Sequence, residues 1–217
     1  MTPEKIAELE EIARQLRVDS LQLIHRRGAG HPGGALSAAE IIAVLYFHVL
    51  RINPAEPAWD DRDRFILSKG HASAALKKLS YRTYVLLGDG ECQAGIVWEG
   101  AMTAAKYHLS NLTAIVDCND VQLDGPVHEV MPLEPFGDKW SAYGWHMIEV
   151  NGHSVRQVAE ALELASEVHD RPTVILAHTT KGKGVSFMEN QSYWHGNVPN
   201  TVQLNQALIE LGEVTHG

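Results

Sequence analysis

An α/β fold, a parallel sheet covered by helices on both faces, is predicted for this chain of 217 residues by three observations. Short apolar runs recur along it, at 64–67, 82–87, 112–117, 146–150 and 173–178, each of strand length. Longer stretches of helical character separate most of them, at 93–109, 136–143 and 154–168. Several runs end in a glycine-rich or acid–amide turn, the clearest being Gly88-Asp89-Gly90 and Asp117-Cys118-Asn119. Strands alternating with helices and ending in such turns are the signature of β-α-β units, whose ligand sites collect at the carboxyl edge of the sheet.

The remaining elements follow from local signals. Residues 3–27 read as one amphipathic helix with Ile6, Leu9, Ile12, Leu16, Leu21 and Ile24 along a stripe, Pro3 in its first turn and Gly28 at its end. Gly28-Ala29-Gly30-His31-Pro32-Gly33-Gly34 reads as loop. Ser37 with Glu40 has the spacing of a capping box, opening a buried helix to about Leu50. Residues 53–63 read as a surface loop, Arg64 to Leu67 as a buried strand, 119–135 as loop, Thr180 to Gly184 as a flexible loop and 201–211 as a closing helix. The whole of 1–217 is expected to be a single domain. One connection is too short: only Ala72 to Lys78 separate the turn at Ser68-Lys69-Gly70-His71 from the next strand, whereas a parallel crossover needs about a dozen residues. Either those two strands are not parallel neighbours or material is missing.

Composition excludes several functions. Apolar residues make up 45% and charged residues 21%, an ordinary globular balance, and a net charge of -9 with no basic run argues against nucleic acid as a partner. No apolar run reaches membrane-spanning length, and Met1 leads straight into a polar helix with no signal peptide, so no membrane association and a cytoplasmic location are expected. Cys92 and Cys118 lack zinc spacing and suit a reducing compartment, although one pairing between them stays open.

The chemistry concentrates in the turns. Asp89 and Asn119 are hard-oxygen groups at the ends of two strands joined by one crossover, a pair suited to Mg²⁺. The main-chain carbonyl of Val121 is a natural third ligand, and phosphate oxygens of a diphosphate would complete the shell. Glycines beside Asp89 allow close backbone approach to phosphate, and the helix behind them offers free N–H groups. The bland alternative is an ordinary tight turn. His31, His71 and His195 lie in glycine-flanked loops, where imidazole can donate to phosphate or move protons; each alone reads as an exposed turn histidine. Lys181 is balanced between a phosphate contact and a solvated lysine. Glu99 is explained by the dipole at the start of its helix.

These motifs, taken in order with Trp98-Glu99, Thr179-Thr180-Lys181-Gly182-Lys183-Gly184 and Trp194-His195-Gly196, resemble transketolase over nearly the whole chain. More narrowly the chain is similar to the amino-terminal subunit of a split transketolase. The resemblance implies thiamine diphosphate held through Mg²⁺, and transfer of a two-carbon ketol unit between sugar phosphates. Carried over position by position, it implies Asp89, Asn119 and Val121 as metal ligands and Gly90, Glu91, Asn119, Lys181, His71 and His195 as cofactor contacts. His31, His195 and His71 are the implied catalytic groups. It also implies a partner, the carboxy-terminal subunit with the pyrimidine-binding domain, in a hetero-oligomer of two plus two. The glutamate that activates the cofactor belongs to that partner, so this chain alone is expected not to catalyse. Alternatives are a related subunit with another donor (a 2-oxo acid or a specialised sugar phosphate) and a non-catalytic interaction subunit.

Two departures from the family pattern matter. Ala94 stands where a glutamate of the subunit contact is common, and Glu99 resembles a helix glutamate near that contact. The family also carries a long segment between the Ser-Lys-Gly-His helix and the Gly-Asp-Gly strand, at the connection that is too short here. Because both flanks keep their pattern, residues near 75–80 mark an omission from the sequence rather than a deletion from the protein. The purified protein should therefore have an intact mass well above 23.9 kDa; a mass at that value would establish a true deletion.

Overall fold

A computed structural model describes residues 1–67 and 81–213. Its centre is a parallel sheet of β1 (Arg64–Leu67), β2 (Thr83–Gly88), β3 (Leu112–Cys118), β4 (His146–Asn151) and β5 (Thr173–His178), in the order β1-β2-β3-β5-β4. All four pairings are parallel, with Leu86 opposite Ile115 and Ile115 opposite Ile175 at the middle of the sheet. The chain steps outward from β1 to β3, jumps to β4 at the far edge, and returns to place β5 beside β3. The carboxyl ends of β2, β3 and β5 therefore lie side by side.

Strand periodicity divides the core into two layers, because successive side chains point to opposite faces. Leu86, Ile115 and Ile175 pack on one face against α1 (Pro3–Arg27), α3 (Ala39–Val44) and α7 (Val155–Glu167). Their neighbours Leu87, Val116 and Leu176 pack on the other face against α4 (Gly95–Lys106) and α6 (Phe136–Ala142). The second layer is aromatic: Trp140 packs between Trp98 and Trp145, tilted against one and edge-on to the other, with ring centroids 5.1 and 5.0 Å away. The short α5 (Val127–Val130) falls inside the stretch expected to be loop, and α8 (Thr201–Glu210) closes the chain on α1.

Helix ends follow the sequence closely in places. The side chain of Thr2 caps α1 by accepting from Lys5 N–H, and Gly28 ends it in the left-handed conformation, φ 68°. The buried face of α1 is Leu9, Ala13, Arg17, Val18, Leu21 and Ile24, whereas Ile6, Ile12 and Leu16 are only half-buried. That face includes an arginine which an apolar stripe passes over. Ser154 caps α7, and Asn200 with Gln203 forms a capping box on α8.

The structure corrects several expectations. Ser37 and Glu40 form no capping box; Ser37 ends α2 (Pro32–Ser37), the next helix opens at Ala38 without a side-chain cap, and both side chains are spent on tertiary contacts. Gly33 and Gly34 belong to α2 rather than to a loop, because Pro32 supplies a helical φ at its first position. The helix expected to run buried to Leu50 turns into a π-helical segment at Leu45–Val49, where Tyr46 and Phe47 are exposed. β1 is a half-buried edge strand, with Leu67 69% exposed. It does pair in parallel with β2, so the two strands are neighbours; the short connection itself, and His71, lie outside the described residues.

Leu162 is 1% exposed in the layer between α7 and the sheet. Leu162→Ala should destabilise the protein by about 3 kcal/mol through lost burial and an unfilled cavity. Urea unfolding should show a lower midpoint at an unchanged slope.

Candidate functional site

The site is organised by buried carboxylates at the ends of β2 and β3. Asp89 follows β2 and is 6% exposed; both its oxygens are engaged by main chain. Its Oδ1 accepts from Gly90 N–H at 2.7 Å and its Oδ2 from Asp120 N–H at 2.6 Å. The second bond locks the β2 turn to the β3 turn. Asp120 makes it possible by taking a left-handed backbone, φ 56°, which Asp tolerates better than most residues. On either side of it Asn119 and Val121 are buried, and Asn119 Oδ1 accepts from Val121 N–H at 3.2 Å.

Gly90 is glycine for a reason other than the one its motif suggests. A Cβ there would lie 2.9 Å from Gln122 Cβ, so its bareness lets the 119–126 segment close over the turn. The turn runs into a 3-10 helix, Gly90–Gln93, and α4 starts only at Gly95, so no α-helix stands directly behind the turn. Glu91 is half-buried and its carboxylate folds back to accept from Gly88 N–H at 3.3 Å. Glu99 lies beyond the first turn of α4 and is exposed, as is Ala94 at its N-cap. The dipole explanation for Glu99 therefore does not hold, since the dipole acts only within the first turn.

Asp117, the penultimate residue of β3, is a functional candidate that motif reading passed over. Its Oδ2 accepts from Ser37 Oγ at 2.7 Å and from Asn119 Nδ2 at 2.9 Å, and its Oδ1 accepts from Thr179 Oγ1. An acid inside an otherwise apolar strand was the available signal. Burial pushes Asp117 above the ordinary carboxylate range, against its three hydrogen bonds. Burial likewise raises Asp89 to about 6, helped by the charges of Asp117 and Asp120 and opposed by its two main-chain bonds.

Lys181 brings a cation to these acids. It is 3% exposed, which rules out the solvated lysine, and the loop that carries it is packed rather than free. Its Nζ donates to the Val121 carbonyl at 2.7 Å and lies 2.9 Å from His195 Nδ1. An ammonium can only donate, so Nδ1 presents its lone pair and the ring proton sits on Nε2. Burial lowers both pKa values: Asp117 and Asp89 resist the shift of Lys181, while Lys181 and His31 reinforce that of His195. His31 is exposed at the N-cap of α2, with its ring edge-on to His195 at 5.5 Å. A cavity of about 450 Å³ opens beside it, floored by Leu86, Leu87, Gly88 and Asp117.

Of the residues singled out by sequence, then, the structure brings together Asp89, Gly90, Asn119, Val121 and Lys181, and puts His195 and His31 at the edge of that cluster. The oxygen set suits a hard cation. Among the described residues neither Asp89 nor Asp117 has an ion pair, so two buried acids face one buried ammonium. Lys181 already occupies one lone pair of the Val121 carbonyl, and the second remains for another partner. Cys92 and Cys118 are both free thiols, raised by burial.

Comparison with known proteins places these features in a lineage. The family described as transketolase, thiamine diphosphate binding domain, matches residues 8–82 and 77–214. One subunit of the apulose-4-phosphate transketolase of Phocaeicola vulgatus is 31% identical over 268 residues, covering 96% of this chain and 95% of that protein. The 6-deoxy-6-sulfo-D-fructose transketolase subunit SqwG of a Clostridium species is 32% identical, covering 95% and 96%. Human transketolase is 32% identical over 89% of this chain but only 40% of its own length. Among solved structures, transketolase from Campylobacter jejuni superposes with a TM-score of 0.81 at 25% identity, this chain spanning 43% of it. Transketolase from Leishmania mexicana gives 0.85 at 22%, over 41% of that chain. The chain spans about two fifths of these full-length transketolases and nearly all of the two subunit relatives. It is a member of the transketolase family, and its sheet is the thiamine diphosphate-binding α/β domain of that family.

Proposed function

We propose that this chain is the diphosphate-binding subunit of a two-subunit transketolase. In that role it holds thiamine diphosphate through Mg²⁺ and acts with a partner that carries the pyrimidine-binding domain. The observation that carries the reading is the buried acid–amide pair, Asp89 and Asn119, tied together through Asp120 N–H with the Val121 carbonyl beside them. These three residues would hold the metal, and Lys181 and His195 would stand against the diphosphate side. Thiamine diphosphate supplies the nucleophilic carbon of ketol transfer. The chain's own contribution is to bind, orient and handle protons: Nε2–H of His195 is the available donor, and His31 is the exposed imidazole beside it. His71 is retained in the proposal as a third histidine of the site.

The fit to subunit relatives over nearly their whole length supports a partner; a hetero-oligomer of two plus two is the assembly proposed. A 217-residue chain aligned over 268 residues with its subunit relative also supports a segment missing near 75–80 of this single domain. The two subunit relatives are named for different substrates, an apulose phosphate and a sulfo-fructose, and this favours a specialised sugar phosphate or analogue as donor. Assay of the chain with its co-purified partner against ketose phosphates, a sulfo-ketose and 2-oxo acids separates the donors; activity on 2-oxo acids alone would remove the transketolase reading. A cytoplasmic location is part of the proposal; among the described residues no helix is long and apolar enough to cross a membrane.

Calorimetric titration with thiamine diphosphate and Mg²⁺, with and without the partner, tests the site. Asp89→Ala should abolish Mg²⁺-dependent binding, and unchanged affinity in that variant would overturn the assignment. The pH dependence has a defined sign. With Asp89 at about 6, its carboxylate is charged above that value and protonated below it. A cation needs the charged form, so Mg²⁺-dependent affinity should hold at pH 7–8 and fall about tenfold per unit well below pH 6. Affinity that rises on acidification would contradict this.

A further inference from the structure

A second buried charge network lies behind the Lys181 loop. Arg17 of α1 is 6% exposed and Glu40 of α3 is 8% exposed; Arg17 Nη2 donates to both Glu40 oxygens, at 2.9 and 2.7 Å, and Arg17 Nε donates to the Leu36 carbonyl at 3.0 Å. His153, in the turn after β4, lies with its Nδ1 3.2 Å from Glu40 Oε2. On its other side Thr180 N–H donates to His153 Nε2 at 2.8 Å. A main-chain N–H can only donate, so Nε2 presents its lone pair and the ring proton is on Nδ1, aimed at Glu40. The imidazole is thus oriented at both ends, by a carboxylate that is itself oriented by a buried guanidinium.

The turn that carries His153 is built for this approach. Gly152 N–H donates to the His178 carbonyl at 2.8 Å, and a Cβ at Gly152 would lie 2.5 Å from Thr179 Cγ2. Only glycine lets the β4 turn press against the segment after β5. The residue following Thr180 is Lys181, the buried cation of the site, and its backbone is held further by Gly182 N–H to the Gly33 carbonyl at 3.0 Å and Asn190 N–H to its own carbonyl at 2.9 Å.

We infer that His153 is a positioning residue: fixed by Glu40 and Arg17, it anchors Thr180 so that Lys181 is delivered to the Val121 carbonyl and His195. Its geometry is independent of any ligand, and its consequence for diphosphate binding rests on the function proposed above. The carboxylate of Glu40, held by Arg17, acts on Thr180 through His153. Gln at position 153 can reproduce both bonds, its amide oxygen accepting from Thr180 and its amide nitrogen donating to Glu40; Phe fills similar space with neither.

Three measurements test this. In the wild-type protein, ¹H–¹⁵N correlation spectra should show His153 protonated on Nδ1 and bare on Nε2; the reverse tautomer overturns the inference without any variant. Amine acetylation read by mass spectrometry should find Lys181 protected in the wild type, with H153F about tenfold faster and H153Q close to wild type, as expected when the hydrogen bond that anchors Thr180 is lost. Lys183, half-exposed nearby, serves as the internal control and should label equally in all three. Equal Lys181 labelling in wild type and H153F overturns the inference. Finally, affinity for thiamine diphosphate with Mg²⁺ should fall in H153F and recover in H153Q. Wild-type protein that binds no cofactor with its partner present removes the proposed function and leaves the anchoring claim to the first two measurements. Binding in H153F equal to wild type removes the consequence claimed for Lys181.

Discussion

The buried carboxylate of Asp117 is the constraint on which the rest of the site depends. Its three side-chain donors come from three parts of the chain: Ser37 at the end of α2, Asn119 beyond β3 and Thr179 beyond β5. Burying an acid without partners is costly, and the structure supplies partners that are also the hinges of the site. Ser37 fixes the helix whose N-cap is His31. Thr179 fixes the segment that leads to Lys181. Asn119 is turned so that its amide nitrogen faces Asp117 and its oxygen faces the Val121 N–H. One carboxylate thereby sets the positions of a histidine, a lysine and an amide from different elements.

The sheet topology explains why one residue can do this. Because β5 returns to lie beside β3, the ends of β2, β3 and β5 stand in a row, and loops that are far apart in sequence meet over Asp117. Asp89 joins the row through Asp120 N–H, which crosses from the β3 turn to the β2 turn. The Arg17–Glu40–His153 network repeats the same solution one layer back, binding α1, α3 and the β4 turn to the loop after β5. Both networks place charge where apolar packing alone would have given stability but no orientation.

Much of this was legible in sequence, and the rest was not for definable reasons. The strands were visible because a sheet covered on both faces needs continuous apolar runs, and Asp89 and Asn119 stood out because each ends such a run. Helix boundaries failed where side chains were claimed by distant partners. Ser37 and Glu40 have the spacing of a capping box, yet Asp117 and Arg17 hold them instead. Arg17 and His153 gave no local signal, since an apolar stripe does not predict an arginine on its buried face and a turn histidine is ordinarily exposed. Lys181 was undecidable from sequence because its burial comes from the packing of the Gly33 backbone and Val121, residues far from it in the chain. A Cβ on Gly33 would sit 2.9 Å from the lysine Cε, so the glycine that looked like loop punctuation is what makes room for the cation.

The charge balance inside the site gives the proposed metal a physical role beyond coordination. Among the described residues, a diphosphate entering this region would meet Asp89 and Asp117 against one buried ammonium, on a chain whose net charge is already -9. Without further positive charge, repulsion from the two acids would oppose the phosphate oxygens, and the strength of that repulsion grows as water is excluded. The proposed divalent cation would reverse the sign at the carboxylate end, while Lys181 would serve the other. The same burial that raises Asp89 in the free protein is what makes it a strong partner for a cation, because a desolvated carboxylate has little hydration left to lose on meeting a metal. On this reading diphosphate and metal bind as one unit, and Lys181, held on the Val121 carbonyl, keeps the site's electrostatics in place until that unit arrives.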